Sequence, residues 1–137
     1  GIHVPPTILR MAYKIKGVER MALITDALAV AAAPADSVAF DPRVIVEDGV
    51  AKLNDRSALA GSIATTDRLI RTAVQQAEIP LEDAVRMVSE TPSLIMKVND
   101  RKGTLSRGKD ADIMILDDKL DIRCIWQMGK IIENTLF

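Results

Sequence analysis

A chain of 137 residues is long enough for one ordinary domain with a core of its own. With 48% hydrophobic and 27% charged residues it reads as globular rather than disordered. A net charge of -1 offers no global attraction to nucleic acid or to anionic lipid, so neither a nucleic-acid nor a membrane partner is expected.

The chain opens with Pro5-Pro6, and proline suits a first helical turn because its missing N–H costs nothing there. Ile8, Leu9, Met11, Ala12 and Ile15 then recur at helical spacing, and Gly17 supplies the stop. Met21-Ala-Leu-Ile24 is a short continuous apolar run, as in a parallel strand buried on both faces, and it ends on Thr25-Asp26. A helix followed by such a strand is the alternation of an α/β barrel or a doubly wound sheet. Ala27 to Ala33 is apolar but too short to span a bilayer, and no signal peptide is visible.

Val44-Ile-Val46 and Val50-Ala-Lys-Leu53 flank Asp48-Gly49, which predicts a tight hairpin. A turn at Gly61-Ser62 precedes a helix capped at Thr65, Thr66 or Asp67, with the apolar stripe Leu69, Ile70, Ala73, Val74 and Ala77. A second helix starts near Pro80 and is expected to bury Leu81, Ala84, Val85 and Val88. Thr91-Pro92 reads as N-cap plus first-turn proline of a short helix through Met96. From Asn99 the pattern changes. Gly103, Gly108 and Gly129 punctuate the apolar runs Ile113 to Leu116, Ile122 to Trp126 and Ile131-Ile132, which predicts a small β meander beyond a boundary near residues 98–103. Cys124, the single cysteine, permits no internal disulfide and is expected in the core, as are Met11, Met87, Met96, Met114 and Met128.

Asp26 is the first candidate for chemistry. The C-terminal edge of strands is where ligands bind in parallel α/β folds, and a carboxylate there can hold a metal or take a proton from water. The plainer alternative is that it caps the next turn or pairs with Arg20. His3 is the single histidine, and a lone histidine is more often a surface or helix-entry residue than a ligand; alone it makes no zinc site, which needs three or four ligands. Leu59-Ala-Gly-Ser62 is a small-residue loop before a helix, either a plain turn or a place where backbone N–H groups approach an anion.

Taken together, several segments resemble one family. Gly1-Ile-His-Val-Pro-Pro6 resembles the end of a D-G-x-H-V-x-P motif, and Ile24-Thr-Asp-Ala27 a strand-end [IV]-T-D-A motif. Leu59-Ala-Gly-Ser62 and Thr66-Asp67 follow in the same order, and Gly103 to Asp112 resembles a closing G-x-[IL]-x-x-G-x-x-A-D tail. The tail is widespread in the amidohydrolase superfamily. The other motifs resemble its N-acetylglucosamine-6-phosphate deacetylase family.

The resemblance implies an α/β fold: residues 1–98 as the last strands and helices of a (β/α)8 TIM barrel, and 99–137 as C-terminal strands of a small β-sandwich. It implies metal-dependent hydrolysis of the N-acetyl group of N-acetylglucosamine 6-phosphate. Asp26 would be the catalytic acid/base and a possible ligand of a second metal, while Gly1, Ile2, His3, Leu59, Ala60 and Gly61 would lie against the phosphorylated amino sugar. The divalent metal, zinc or alternatively iron, would have its Glu and two His ligands ahead of residue 1. A cytoplasmic homodimer is implied for the full-length protein, and the 137 residues in isolation are expected to be inactive. A related amidohydrolase acting on another N-acetyl sugar or a cyclic amide is the neighbouring alternative.

Overall fold

A computed structural model describes residues 1–31 and 41–136. The chain divides into two compact units, Gly1–Leu23 with Ile70–Phe137, and Ile24–Leu69.

The first unit begins with α1, Pro6–Lys16, which has proline in its first turn and Lys14 and Lys16 in its last. Cations there complement the negative end of the helix dipole. Gly17, at φ 74°, ends the helix while its N–H donates to the Tyr13 carbonyl at 2.8 Å. A 3-10 turn, Val18–Arg20, follows. The expected strand at Met21–Ile24 does not form a ladder. Met21 is extended and the Leu23 N–H donates to the Met87 carbonyl at 2.9 Å, but Ile24 is 71% exposed. A buried parallel strand needs hydrogen-bonded strands at its edges and packed layers on its faces. Among the described residues, no strand pairs with this segment.

The helix α2, Thr66–Arg71, runs into a π-helical turn, Thr72–Gln76. It is followed by α3, Leu81–Val88, and α4, Glu90–Ile95. Ile70, Ala73, Ala77, Ile79, Ala84, Met87 and Leu120 form the core of the unit, with Leu9, Tyr13, Met21 and Leu23 packed on it. The alanines at 73, 77 and 84 are fully buried, which lets backbones approach closely. The α3 face differs from expectation in part: Ala84 is buried and Val88 packs on the core as expected, but Leu81 and Val85 are exposed and Met87 is buried in their place. Positions 81 and 85 share one stripe of the helix and 84 and 87 another, and the second stripe meets the core. Of the methionines expected inside, Met87 is buried but Met11, Met96, Met114 and Met128 are exposed. The short helix begins at Glu90 rather than at Pro92, and Thr91 sits inside it, its hydroxyl donating to the Val18 carbonyl at 2.9 Å.

Tyr13 ties α1 to α3 by donating its hydroxyl to the Asp83 carboxylate. That hydrogen bond, then burial, then repulsion from the Asp83 charge hold the phenol pKa above its ordinary 10.0. The neutral hydroxyl is the form favoured by the fold. Its stabilisation is therefore complete below pH 10.0 and lost as pH climbs through the raised value. Tyr13→Phe is expected to cost about 1 kcal/mol at neutral pH. Thermal melts of both proteins from pH 7 upward should converge under alkaline conditions. A gap that persists at high pH would dissociate the effect from this hydroxyl.

The meander is β3 (Ile113–Leu116), β4 (Ile122–Gln127) and β5 (Lys130–Asn134), antiparallel in that order. Cys124 on the central strand is fully buried, as expected, and Trp126 lies two residues on. The stretch before it is clasped by charge. Arg101 pairs with Asp110 at 2.8 Å, Lys102 pairs with Asp110 and Asp112, and Asp112 also accepts the Met128 N–H at 2.8 Å. These contacts give the G-x-[IL]-x-x-G-x-x-A-D tail a structural role, joining the approach to β3 with the β4–β5 turn.

The second unit is built on the hairpin β1 (Val44–Glu47) and β2 (Val50–Leu53). Asp48 and Gly49 both have positive φ, 53° and 72°, the pair of left-handed residues that a twisted two-residue turn requires. The apolar run at Ala27–Ala33 passes outside the described residues from residue 32. Among the described residues no helix is long and apolar enough to cross a membrane.

Candidate functional site

Leaving β2, the chain turns at residues 54–57, where the Asp55 carboxylate accepts the Ser57 hydroxyl at 2.7 Å and its N–H at 3.0 Å. It then doubles back along β2. The Leu53 N–H donates to the Ala58 carbonyl, the Ala60 N–H donates to the Ala51 carbonyl, and Leu59 bridges Lys52 antiparallel. Two residues later the same loop meets the segment that carries Asp26. Ser62 and Ala27 form a parallel bridge, and the Leu28 N–H donates to the Ser62 carbonyl at 2.8 Å. The Ser62 hydroxyl accepts the Ala64 N–H at 3.0 Å, closing the turn that leads to α2.

Asp26 thus stands one residue before a fixed crossing, with its side chain exposed and its φ at 47°. Aspartate tolerates the left-handed region better than most residues, and such outliers gather at functional sites. The other carboxylates of the hairpin have structural partners. Glu47 pairs with Arg56 at 2.9 Å and with Lys52 at 3.2 Å, and these cations, Arg56 first, hold its carboxyl below the ordinary range. Asp48 pairs with Lys52 at 2.9 Å, and the hydrogen bonds from Ser57 hold Asp55 below the ordinary range. An exposed carboxylate beside a hydrogen-bonded crossing can reach a water and exchange a proton with it.

Asp26, Leu59, Ala60 and Gly61 fall in one unit, and the structure brings their two segments together at Ala27 and Ser62. Gly1, Ile2 and His3 fall in the other unit, exposed at the entry to α1, where a Cβ on Gly1 would lie 3.0 Å from Gln76 Oε1. Leu28 and Ser62 join the candidate set as the residues that fix the crossing. Sequence reasoning missed Leu28 because it reads as one more member of an apolar run.

Residues 1–135 match the family described as the Amidohydrolase family. The chain belongs to the amidohydrolase family. This amidohydrolase chain is 34% identical to an N-acetylglucosamine-6-phosphate deacetylase of Lysinibacillus sphaericus, over 98% of its own length and 34% of the relative's. It is 28% identical to an N-acetylgalactosamine-6-phosphate deacetylase of a Shewanella species, again over 98% and 34%. Among solved structures, the N-acetylglucosamine-6-phosphate deacetylase of Pasteurella multocida superposes with a TM-score of 0.88 at 29% identity, over 98% of this chain and 35% of that one. The amidohydrolase chain therefore spans about a third of the length of the curated relatives it matches.

The amidohydrolase family implies a divalent metal. Among the described residues no group of three or more His, Cys, Asp or Glu side chains lies close enough to hold one. Asp26 offers a single carboxylate. These residues do not make a metal centre by themselves.

Proposed function

We propose that this amidohydrolase chain is the part of an N-acetylglucosamine-6-phosphate deacetylase that supplies the proton-moving carboxylate. One observation carries the reading: Asp26 is held in a left-handed turn, exposed, one residue before the crossing with the Leu59–Ser62 loop. In the proposed reaction water attacks the acetyl carbonyl and Asp26 takes its proton. Asp26 then returns that proton to the sugar nitrogen as the C–N bond breaks, because an amide anion is a very poor leaving group. The products are glucosamine 6-phosphate and acetate.

In this reading residues 1–98 belong to a (β/α)8 barrel and 99–137 to a small β-sandwich. The divalent metal, zinc or iron, is held by ligands outside the 137 residues. Gly1, Ile2, His3, Leu59, Ala60 and Gly61 face the phosphorylated sugar in a cytoplasmic homodimer, and the 137 residues alone are inactive. The resemblance of the motifs and the deacetylase identity of the relatives support this assignment.

A second reading follows from the Shewanella relative, whose name points to the galactosamine epimer. Acetate release by the full-length protein should be fastest with N-acetylglucosamine 6-phosphate. The comparison substrates are its galactosamine epimer and unphosphorylated N-acetylglucosamine. Faster turnover of the epimer would replace the first reading with the second, and absence of any deacetylation would remove both.

A further inference from the structure

Gly61 has φ 113°, and a Cβ built on it would lie 3.0 Å from both Cγ and Cδ2 of Leu28 and 3.2 Å from Cδ1. The Leu28 side chain therefore rests directly on the bare backbone of the loop. Its own N–H is bonded to the Ser62 carbonyl, and its neighbour Ala27 bridges Ser62. The two segments are joined by the hydrogen bond on one side of Leu28 and by the packing of its isopropyl group on the other. Asp26 lies two residues before this junction, in a backbone conformation that extended neighbours do not impose.

We infer that Gly61 and Leu28 are positioning residues for Asp26: the missing side chain at 61 seats Leu28, and the seated Leu28 fixes the direction in which the Asp26 carboxylate is presented. The inference rests on the reading of Asp26 as the proton carrier. A methyl group at 61 presses on three carbons of one side chain at once, so either Leu28 or the loop shifts by a few tenths of an ångström. Tightly packed groups pass such a shift along rather than absorb it. Asp26 sits at the end of that lever. Proton transfer is sensitive to it, since a misplacement of ~1 Å costs on the order of 10²-fold in rate.

The test is steady-state kinetics of the full-length enzyme, with thermal melts alongside. Gly61→Ala and, separately, Leu28→Phe, which overfills the same contact from the opposite side without adding a side chain at the positive-φ glycine, should each lower kcat by roughly 3- to 10-fold. KM should move far less than kcat in both. Adding Leu28→Ala to Gly61→Ala should recover part of the lost kcat, because it removes the carbons that the new methyl meets. If Gly61→Ala fails to fold, Leu28→Phe carries the same expectation. Asp26→Asn serves as the reference. Wild-type turnover from Asp26→Asn overturns the proton-carrier reading and this inference with it. A severe loss there, combined with an unchanged kcat in Gly61→Ala and Leu28→Phe, overturns this inference alone. So does a raised KM at unchanged kcat, which would confine Gly61 to substrate contact.

Discussion

Replacing Asp26 by asparagine in the full-length enzyme is expected to lower kcat by about 10²- to 10⁴-fold while KM and the melting temperature stay close to wild type. The substitution separates chemistry from architecture unusually well at this position. Asparagine has the size and shape of aspartate, and it is among the residues that tolerate φ near 47° best. The side chain is exposed, and no described ion pair of the fold depends on it. What asparagine lacks is the ability to take a proton from water and hand it to a departing nitrogen. An equal fall in kcat and kcat/KM is the signature of an interaction made in the transition state. Wild-type rates would remove Asp26 from the mechanism. A collapsed melting curve would instead make its role structural.

Gly103→Ala should be among the most destabilising single-methyl changes in the chain. Gly103 has φ 93°, and a Cβ there would lie 2.2 Å from Ser93 Oγ, 2.7 Å from Ser93 Cβ and 3.3 Å from the Glu90 Cα. Ser93 cannot easily retreat. It is 5% exposed and its hydroxyl donates to the Glu90 carbonyl at 2.7 Å within α4. The left-handed backbone and the overfilled contact together put the loss on the order of 3 kcal/mol. The corresponding fall in melting temperature is on the order of 10 °C. Ser93→Gly in the Gly103→Ala background should recover part of it, and a double-mutant cycle isolates the contact from the cost of glycine in a helix. A melt unchanged by Gly103→Ala would contradict the close approach. The first glycine of the amidohydrolase tail is thus explained by packing against α4 rather than by chemistry.

The elements legible in the sequence are those whose signals are local. Pro6 and Gly17 bound α1, Asp48-Gly49 makes the hairpin, and the glycines of the last third separate the strands of the meander. What depends on distant partners was not legible. Met21–Ile24 has the composition of a strand, but a ladder needs neighbours that these residues do not supply. On α3, Ala84 and Val88 meet the core as their spacing predicts but Leu81 and Val85 do not, because the buried stripe is centred on Ala84 and Met87. Asp26 itself was legible as a motif and as a carboxylate after an apolar run. Its left-handed backbone and its crossing with Ser62 were not, because no spacing rule links residue 27 to residue 62. His3 was legible both as a motif residue and as a helix-entry residue, and it stands exposed just before α1.

The position of Trp126 on β4 decides what light can report about these 137 residues. It is the single tryptophan of the chain, so emission excited at the indole band originates on the central strand of the meander. A fluorescence melt of Gly103→Ala reads the unit that the substitution disturbs. The same signal carries no reporter within Ile24–Leu69. A second fluorophore, or amide exchange read residue by residue, is needed to watch the loop that presents Asp26.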